Sequence, residues 1–109
     1  MLEFTALADP TRRQIVEMLA DGELQAGEIA DRFYVSGPAI SQHLKVLREA
    51  RLVSIRADGQ RRIYELDPAG LAELDRWLIR VRRFWAARLD ILERQLRGAN
   101  PKPEPRKKR

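Results

Sequence analysis

The sequence contains no cysteine and only one histidine, His43, among its 109 residues. Without cysteine the chain can form no disulfide, no thiolate metal site, no thiol switch and no cysteine nucleophile. A single histidine cannot build a multi-histidine metal site within one chain, and no acidic cluster replaces it. We therefore expect neither a bound metal nor another cofactor.

Long hydrophobic runs are also missing. No apolar stretch approaches the roughly 20 residues that span a bilayer, and the N-terminal segment lacks the apolar core of a signal peptide. With 44% hydrophobic and 34% charged residues, a chain of this length is predicted to form one small domain or one subunit of an assembly. We expect a cytoplasmic protein with no membrane partner.

The formal net charge of +5 is unevenly distributed. The C-terminal segment PKPEPRKKR is strongly basic, whereas residues 1–100 are close to neutral. Alternating prolines prevent a helix, so we predict a disordered basic tail over residues 98–109 after a folded domain over 1–97. The tail could simply aid solubility, or it could make nonspecific contacts with phosphates.

The first half of the sequence carries helix signals. Asp9-Pro10 is typical of an N-cap followed by the first helical residue, and Gly22 is predicted to end that helix. A short helix is expected before Asp9, and a third helix is expected over residues 26–33. Ser36 resembles the N-cap of a fourth helix with an apolar stripe of period 3.6, formed by Ile40, Leu44 and Leu47.

The apolar period changes from about 3.6 to 2 after residue 52. Alternating residues on both sides of an Asp58-Gly59 turn predict a two-stranded hairpin. Asp67-Pro68 then starts a long helix, predicted over residues 69–97. Four helices, a hairpin and a long helix form a mainly α fold of the winged helix-turn-helix type, in which one helix enters the DNA major groove and the hairpin wing contacts the flanking backbone.

Three sequence blocks resemble the ArsR/SmtB family of bacterial transcriptional repressors. They are LADPTRRQI at residues 7–15, SGPAISQHLKVL at 36–47 and REARLV at 48–53. The resemblance covers residues 4–66 well and the long helix more loosely. It implies a homodimer that binds operator DNA and releases it when an effector binds.

The residues of the fourth helix outside the apolar stripe form a polar side. Gln42 can bond bidentately to adenine, Ala39 can meet a thymine methyl group, and Ser36 can cap the helix while contacting a phosphate. Alternatively, Ser36 is only a cap and Gln42 is only solvated. The predicted DNA contacts on this helix are Ser36, Pro38, Ala39, Ser41, Gln42, His43 and Lys45.

The lone histidine is predicted to contact DNA rather than to act in catalysis. His43 lies about 200° around the helix from Ser41, which excludes a nucleophile-base pair. Its position at the edge of the polar side is also compatible with simple packing. Three arginines flank the hairpin turn and suit phosphate or minor-groove contacts, although charges on edge strands also protect against aggregation. These are Arg56, Arg61 and Arg62.

The long helix carries an apolar residue every seven positions, which suits packing against a second long helix. We predict a homodimer formed through this helix and the first helix. In the alternative, the long helix lies on its own domain. The predicted dimer residues are Phe4, Leu7, Leu71, Leu74, Leu78, Val81, Trp85 and Leu92.

Many members of the resembled family sense metals or oxidants through cysteines, or through histidine and carboxylate ligands on the long helix. This sequence has no cysteine, and Asp90 and Glu93 have no histidine partner, so it resembles the metal-independent branch. The carboxylates are expected to form ion pairs with nearby arginines. Trp77, Phe84 and Trp85 are expected in core or dimer packing, or else in a pocket for an unidentified small-molecule or protein effector.

The sequence thus predicts a homodimeric transcriptional repressor that binds an inverted-repeat operator in double-stranded DNA. An enzyme is not expected, because there is no glycine-rich phosphate loop and no pairing of catalytic groups. The alternative is a protein-interaction module that reuses the winged-helix fold without specific DNA binding.

Overall fold

The structure is a computed structural model that describes residues 2–99. Within this range the chain divides into two units, one ending at Leu74 and one beginning at Asp75. The elements in chain order are α1 (Leu2–Leu7), α2 (Pro10–Ala20), β1 (Leu24–Gln25), α3 (Ala26–Ala30), α4 (Gly37–Glu49), β2 (Val53–Asp58), β3 (Arg61–Leu66) and α5 (Pro68–Ala99).

Helix α2 begins and ends as its sequence predicts. The Asp9 carboxylate accepts a hydrogen bond from the Arg12 amide at 3.1 Å, which satisfies one of the free N–H groups of the first turn. Ile15 and Leu19 are buried on one side of the helix. Gly22, with φ of 144°, follows the helix end, so the predicted stop is confirmed.

Helix α3 is shorter than the predicted span of 26–33, because it ends at Ala30. After Ala30 the backbone hydrogen bonds join residues that are three positions apart. The Arg32 amide donates to the Ile29 carbonyl oxygen and the Phe33 amide donates to the Ala30 carbonyl oxygen, both at 3.1 Å. Phe33 is nevertheless half-buried and packs against the core. Phe33 therefore contributes to the core although the α-helix has already ended.

Helix α4 has the predicted cap and the predicted buried stripe. The Ser36 hydroxyl accepts a hydrogen bond from the Ala39 amide at 3.2 Å. Ile40, Leu44 and Leu47 are at most 2% exposed, which confirms the helical period read from the sequence. The side opposite this stripe is left for contacts outside the domain.

The wing contains a third strand that the sequence analysis missed. The sheet has the antiparallel order β1-β3-β2, with Leu24 of β1 opposite Tyr64 of β3. The predicted hairpin of β2 and β3 is confirmed. Strand β1 was not predicted, because a strand of two residues is too short to show alternation. Gly59 has φ of 67° while Gln60 keeps a negative φ, as expected for a type II′ turn.

The core of the first unit draws side chains from α1 to α4 and from the wing. No polar or charged residue in the described range is buried, so apolar contact supplies the stabilisation of this unit. The buried cluster consists of Ala6, Ile15, Leu19, Ile29, Ile40, Leu44, Leu47, Ala50, Leu52, Val53 and Tyr64.

Helix α5 runs from Pro68 to Ala99 and is longer than the predicted span of 69–97. It therefore includes the first residues of the predicted tail, whereas residues 100–109 lie outside the described range. The Asp67 carboxylate accepts a hydrogen bond from the Ala69 amide at 2.9 Å at the helix start. No helix within residues 2–99 is long and apolar enough to cross a membrane.

The predicted dimer residues fall into two groups in the single chain. Leu7, Leu71 and Leu74 pack against the buried core of the first unit, and Val81 is half-buried. The other four are exposed, at 37% for Phe4 and at 49–53% for the three on α5. Those three are Leu78, Trp85 and Leu92.

Candidate nucleic-acid interface

The outer side of α4 is a continuous polar surface. Pro38, Ser41, Gln42 and Lys45 are all exposed, as is Ser36 at the helix start. This side faces away from the core because the buried residues occupy the opposite stripe. Five of the seven DNA contacts predicted on α4 therefore lie exposed on one surface.

The remaining two predicted contacts, Ala39 and His43, lie at the margin of this surface. Both side chains are half-buried. Because the Ala39 methyl group is partly covered, it presents less area to a thymine methyl group than a fully exposed methyl group would. One side of the His43 ring contacts side chains of the protein itself.

Arg48 extends the polar surface of α4 and was missed by the sequence analysis. It is exposed and lies three residues after Lys45, so both side chains project from the same side of the helix. The signal was available, since basic residues at this spacing share a helix face. No carboxylate occurs between Ser36 and Arg48, which leaves this part of the surface without negative side-chain charge.

Two of the three predicted wing arginines are paired with carboxylates. The Arg56 guanidinium donates to Glu23 at 2.7 Å, and this hydrogen bond raises the pKa of Arg56. Arg61 pairs with Asp58 at 2.5 Å across the turn. To contact a phosphate, each of these arginines would have to bind its carboxylate and the phosphate together, or release the carboxylate.

Arg62 is placed differently from the other two wing arginines. In the hairpin register it lies opposite Ala57, on the other face of the ribbon from Arg61. Arg62, Ala57, Ile55 and Arg48 line one groove of about 360 Å³ between the wing and α4. No ion pair of Arg62 is formed within residues 2–99, so its charge is available beside the polar surface of α4.

His43 contacts α2 through two charged side chains. Its Nδ1 atom lies 3.2 Å from Nη1 of Arg12 and 3.9 Å from the Asp9 carboxylate. The backbone hydrogen bond from Arg12 lowers the pKa of Asp9, and the positive charge of the Arg12 guanidinium lowers this pKa further, while desolvation opposes both effects. The contacts join the start of α2 to the middle of α4.

The charged side chains of α5 bear on the question of metal binding. No group of three or more metal-ligating side chains lies within residues 2–99. Asp90 pairs with Arg94 at 3.2 Å and Glu93 pairs with Arg97 at 2.8 Å. These ion pairs confirm the predicted role of both carboxylates.

Two of the three aromatic residues singled out on α5 meet. The rings of Phe84 and Trp85 lie edge to face at 5.7 Å, and the Arg88 guanidinium lies 4.7 Å from the centre of the Phe84 ring. These three residues line an open groove along the helix together with Leu89 and Leu92. Trp77 does not line this groove.

Known proteins resemble this chain along most of its length. The family model described as bacterial regulatory protein, arsR family, matches residues 9–54. The HTH-type transcriptional regulator Rv2034 of Mycobacterium tuberculosis is 55% identical over 89 residues, which cover 78% of this chain and 83% of that protein. The transcriptional repressor SdpR of Bacillus subtilis is 40% identical over 76 residues, which cover 70% of this chain and 84% of the repressor.

Solved structures agree with these sequence relationships. A crystal structure described as a possible transcriptional regulator for arsenical resistance has a TM-score of 0.69 and 43% sequence identity, and the match covers 87% of this chain and 96% of that one. The relatives are transcriptional regulators, a class of proteins that is not enzymatic, in agreement with the prediction. The chain therefore belongs to the ArsR family of DNA-binding, winged helix-turn-helix transcriptional regulators.

Proposed function

We propose that this chain is a homodimeric repressor that binds an inverted-repeat operator, with α4 of each protomer in a major groove. The polar surface of α4 is the observation that carries the proposal. It is exposed from Ser36 to Arg48 on one side and contains no carboxylate. A helix with such a surface can approach phosphates and present donors and acceptors to base edges.

Residue roles follow from position on that surface. Gln42, in the middle of the helix, has an amide that can bond bidentately to adenine N6 and N7. Ser41 and Lys45 flank it, and Ser36 lies at the helix N-terminus, where free N–H groups favour a phosphate. Arg62 and Arg48 supply positive charge on the two sides of the groove between the wing and α4.

Repression is the direction of regulation that the relatives favour. SdpR of Bacillus subtilis and two arsenical resistance operon regulators of Staphylococcus are named repressors, whereas HlyU of Vibrio cholerae is named an activator. SdpR matches a longer part of this chain, 76 residues or 70% at 40% identity, than HlyU does, 61 residues or 56% at 44% identity. A repressor would act in the cytoplasm, at the bacterial nucleoid.

Dimer formation is proposed to use the exposed apolar residues of α5. Leu78, Trp85 and Leu92 recur at the predicted seven-residue spacing and remain about half exposed in the single chain. Two copies joined through this helix would present two α4 helices related by a two-fold axis. Half-sites about 10 bp apart, or a multiple of this spacing, would then form an inverted repeat.

The regulation of binding is proposed to be independent of metal ions, with a small molecule or a protein as the effector. Asp90 and Glu93 of α5 form ion pairs with arginines, and the chain has no cysteine. Operator affinity measured with zinc and with a chelator should therefore be equal. A reproducible tenfold difference would contradict this part of the proposal.

Selection of bound duplexes from a random pool tests the proposed function. The full chain should enrich an inverted repeat, and light scattering of the free protein should give twice 12.6 kDa. The Gln42→Ala variant should bind the enriched duplex about tenfold more weakly or worse, as expected for loss of a bidentate base contact. Failure to enrich any duplex would favour the alternative, a protein-interaction module on the same fold.

A further inference from the structure

The guanidinium of Arg12 is held by the end of α1. Its Nε donates to the Ala6 carbonyl oxygen at 2.6 Å, and its Nη2 donates to the Thr5 carbonyl oxygen at 3.3 Å. The last carbonyls of a helix have no partner within the helix. Arg12 supplies a partner for the Ala6 carbonyl oxygen and a second donor for the Thr5 carbonyl oxygen, which also accepts from the Ala8 amide. The planar guanidinium is thereby fixed in orientation.

The third guanidinium nitrogen of Arg12, Nη1, determines which imidazole nitrogen of His43 carries the proton. Nη1 of Arg12 lies 3.2 Å from Nδ1 of His43, and a guanidinium can only donate hydrogen bonds. Nδ1 must therefore be the acceptor and carries no proton. In a neutral imidazole the proton then resides on Nε2.

Nε2 of His43 is directed away from these internal contacts. It makes no hydrogen bond within residues 2–99, yet no buried side-chain nitrogen or oxygen in that range lacks a partner. Nε2 must consequently reach solvent, in agreement with the 22% exposure of the side chain. His43 thus offers a free N–H donor at the margin of the polar surface of α4.

We infer that Arg12 is a positioning residue that holds His43 in the Nε2–H form, so that α4 presents a hydrogen-bond donor to an acceptor on DNA. The inference rests on the proposed function of α4 as the DNA-reading helix. The acceptor is a purine N7 or another base-edge acceptor, or else a phosphate oxygen. Arg12 itself needs no contact with the DNA.

The imidazole nitrogen spectrum of the free protein tests the role of Arg12 directly. Because the chain contains one histidine, every imidazole signal belongs to His43. At about pH 8, above the range in which histidine usually titrates, long-range proton–nitrogen correlations should show the Nε2–H form in the unmodified protein. The Arg12→Ala variant should show a mixture of the two neutral forms.

Arg13→Ala is the matched control for this substitution. Arg13 is the next residue on α2, and its guanidinium donates only to the carbonyl oxygens of Leu7 and Ala8. Its removal should leave the imidazole spectrum unchanged. Predominance of the Nδ1–H form in the unmodified protein, or an unchanged spectrum in Arg12→Ala, would overturn the inference.

Operator affinity measured with the selected duplex tests the consequence for DNA binding. The variants Arg12→Ala and His43→Ala should each lose about tenfold in affinity, and the double variant should lose little more than either alone. His43→Gln should stay near the unmodified affinity, because its amide nitrogen can stand in for Nε2. His43→Asn, whose shorter amide corresponds to Nδ1, should behave like His43→Ala.

Modified duplexes distinguish the two kinds of acceptor. Replacing operator purines with 7-deazapurines should abolish the His43-dependent part of the affinity if the acceptor is a purine N7, and should preserve it otherwise. Equal affinity of His43→Gln and His43→Asn would overturn the donor role. If no duplex binds the unmodified protein, the proposed function fails, whereas the imidazole spectra still decide the role of Arg12.

Discussion

The amide of Gly70 donates a hydrogen bond to the carbonyl oxygen of Arg51 at 2.8 Å and so joins the first turn of α5 to the second residue after the end of α4. Arg51 has φ of 62°, the left-handed conformation that commonly ends helices. A Cβ on residue 70 would overlap the Arg51 carbonyl oxygen and lie 2.9 Å from that of Ala50. The close approach of the two backbones therefore requires glycine.

Replacing Gly70 by alanine should destabilise the fold by about 1–3 kcal/mol, the range for overpacked sites, despite the higher helix propensity of alanine. The free energy of unfolding in urea measures this effect. Gly98→Ala is the matched control, because Gly98 is also in α5 and has open space around its Cα. A Gly70→Ala variant as stable as Gly98→Ala would show that the two backbones do not approach so closely.

The Asp9 cap should make stability depend on pH. The pKa of Asp9 is lowered in the folded chain, so its contribution is present above the unfolded value and is lost as pH falls through the folded value. The Asp9→Ala variant should therefore be less stable than the unmodified protein at pH 7. Chemical denaturation at several pH values should show this difference shrinking below about pH 4.

The matched control for Asp9→Ala removes another carboxylate from α2. Glu17 is exposed on this helix, and Glu17→Ala should leave stability at pH 7 close to that of the unmodified protein. A stability difference for Asp9→Ala that stays constant down to acid pH would contradict the role of the charged carboxylate.

A charge placed on the apolar side of α5 should prevent dimer formation without unfolding the chain. Leu92 is 49% exposed in the single chain, so Leu92→Asp should cost the isolated protomer little. In a dimer the same charge would be desolvated without a partner. Sedimentation of Leu92→Asp should give a monomer, whereas Ala86→Asp, an exposed position on a different side of α5, should remain a dimer. Equal masses for the two variants would exclude this interface.

The wing arginines should contribute unequally to DNA binding. Arg62 has no carboxylate partner within the described residues and lines the groove beside α4, whereas Arg56 is paired with Glu23. Arg62→Ala should weaken binding to all duplexes and reduce the slope of log affinity against log salt by about 1. Arg56→Ala should have a smaller effect. The reverse order would indicate that the Arg56 side of the wing faces the DNA.

Local sequence signals predicted the parts of the fold that depend on neighbouring residues. The caps at Asp9 and Ser36 and the buried stripe of α4 follow from residues within one or two turns. The exposed side of α4 was predictable as well, because it is the side of the helix opposite the buried stripe. Arg48 could also have been predicted on this side, because it lies about one helical turn after Lys45.

Contacts between distant residues explain what the sequence analysis missed. Strand β1 exists through pairing with Ile63 and Tyr64, and two residues alone carry no recognisable pattern. The partner of Arg56 is Glu23, far away in the sequence. Likewise, nothing near His43 in sequence indicates that Arg12 would occupy its Nδ1 atom.

The most direct test of the central claim is fluorescence anisotropy of the full chain with the selected duplex and with a scrambled duplex, at two salt concentrations. A specific regulator should prefer the selected duplex by about a thousandfold or more, and the preference should persist as higher salt weakens both affinities. Equal affinities for the two duplexes, both lost at high salt, would contradict sequence-specific regulation through α4.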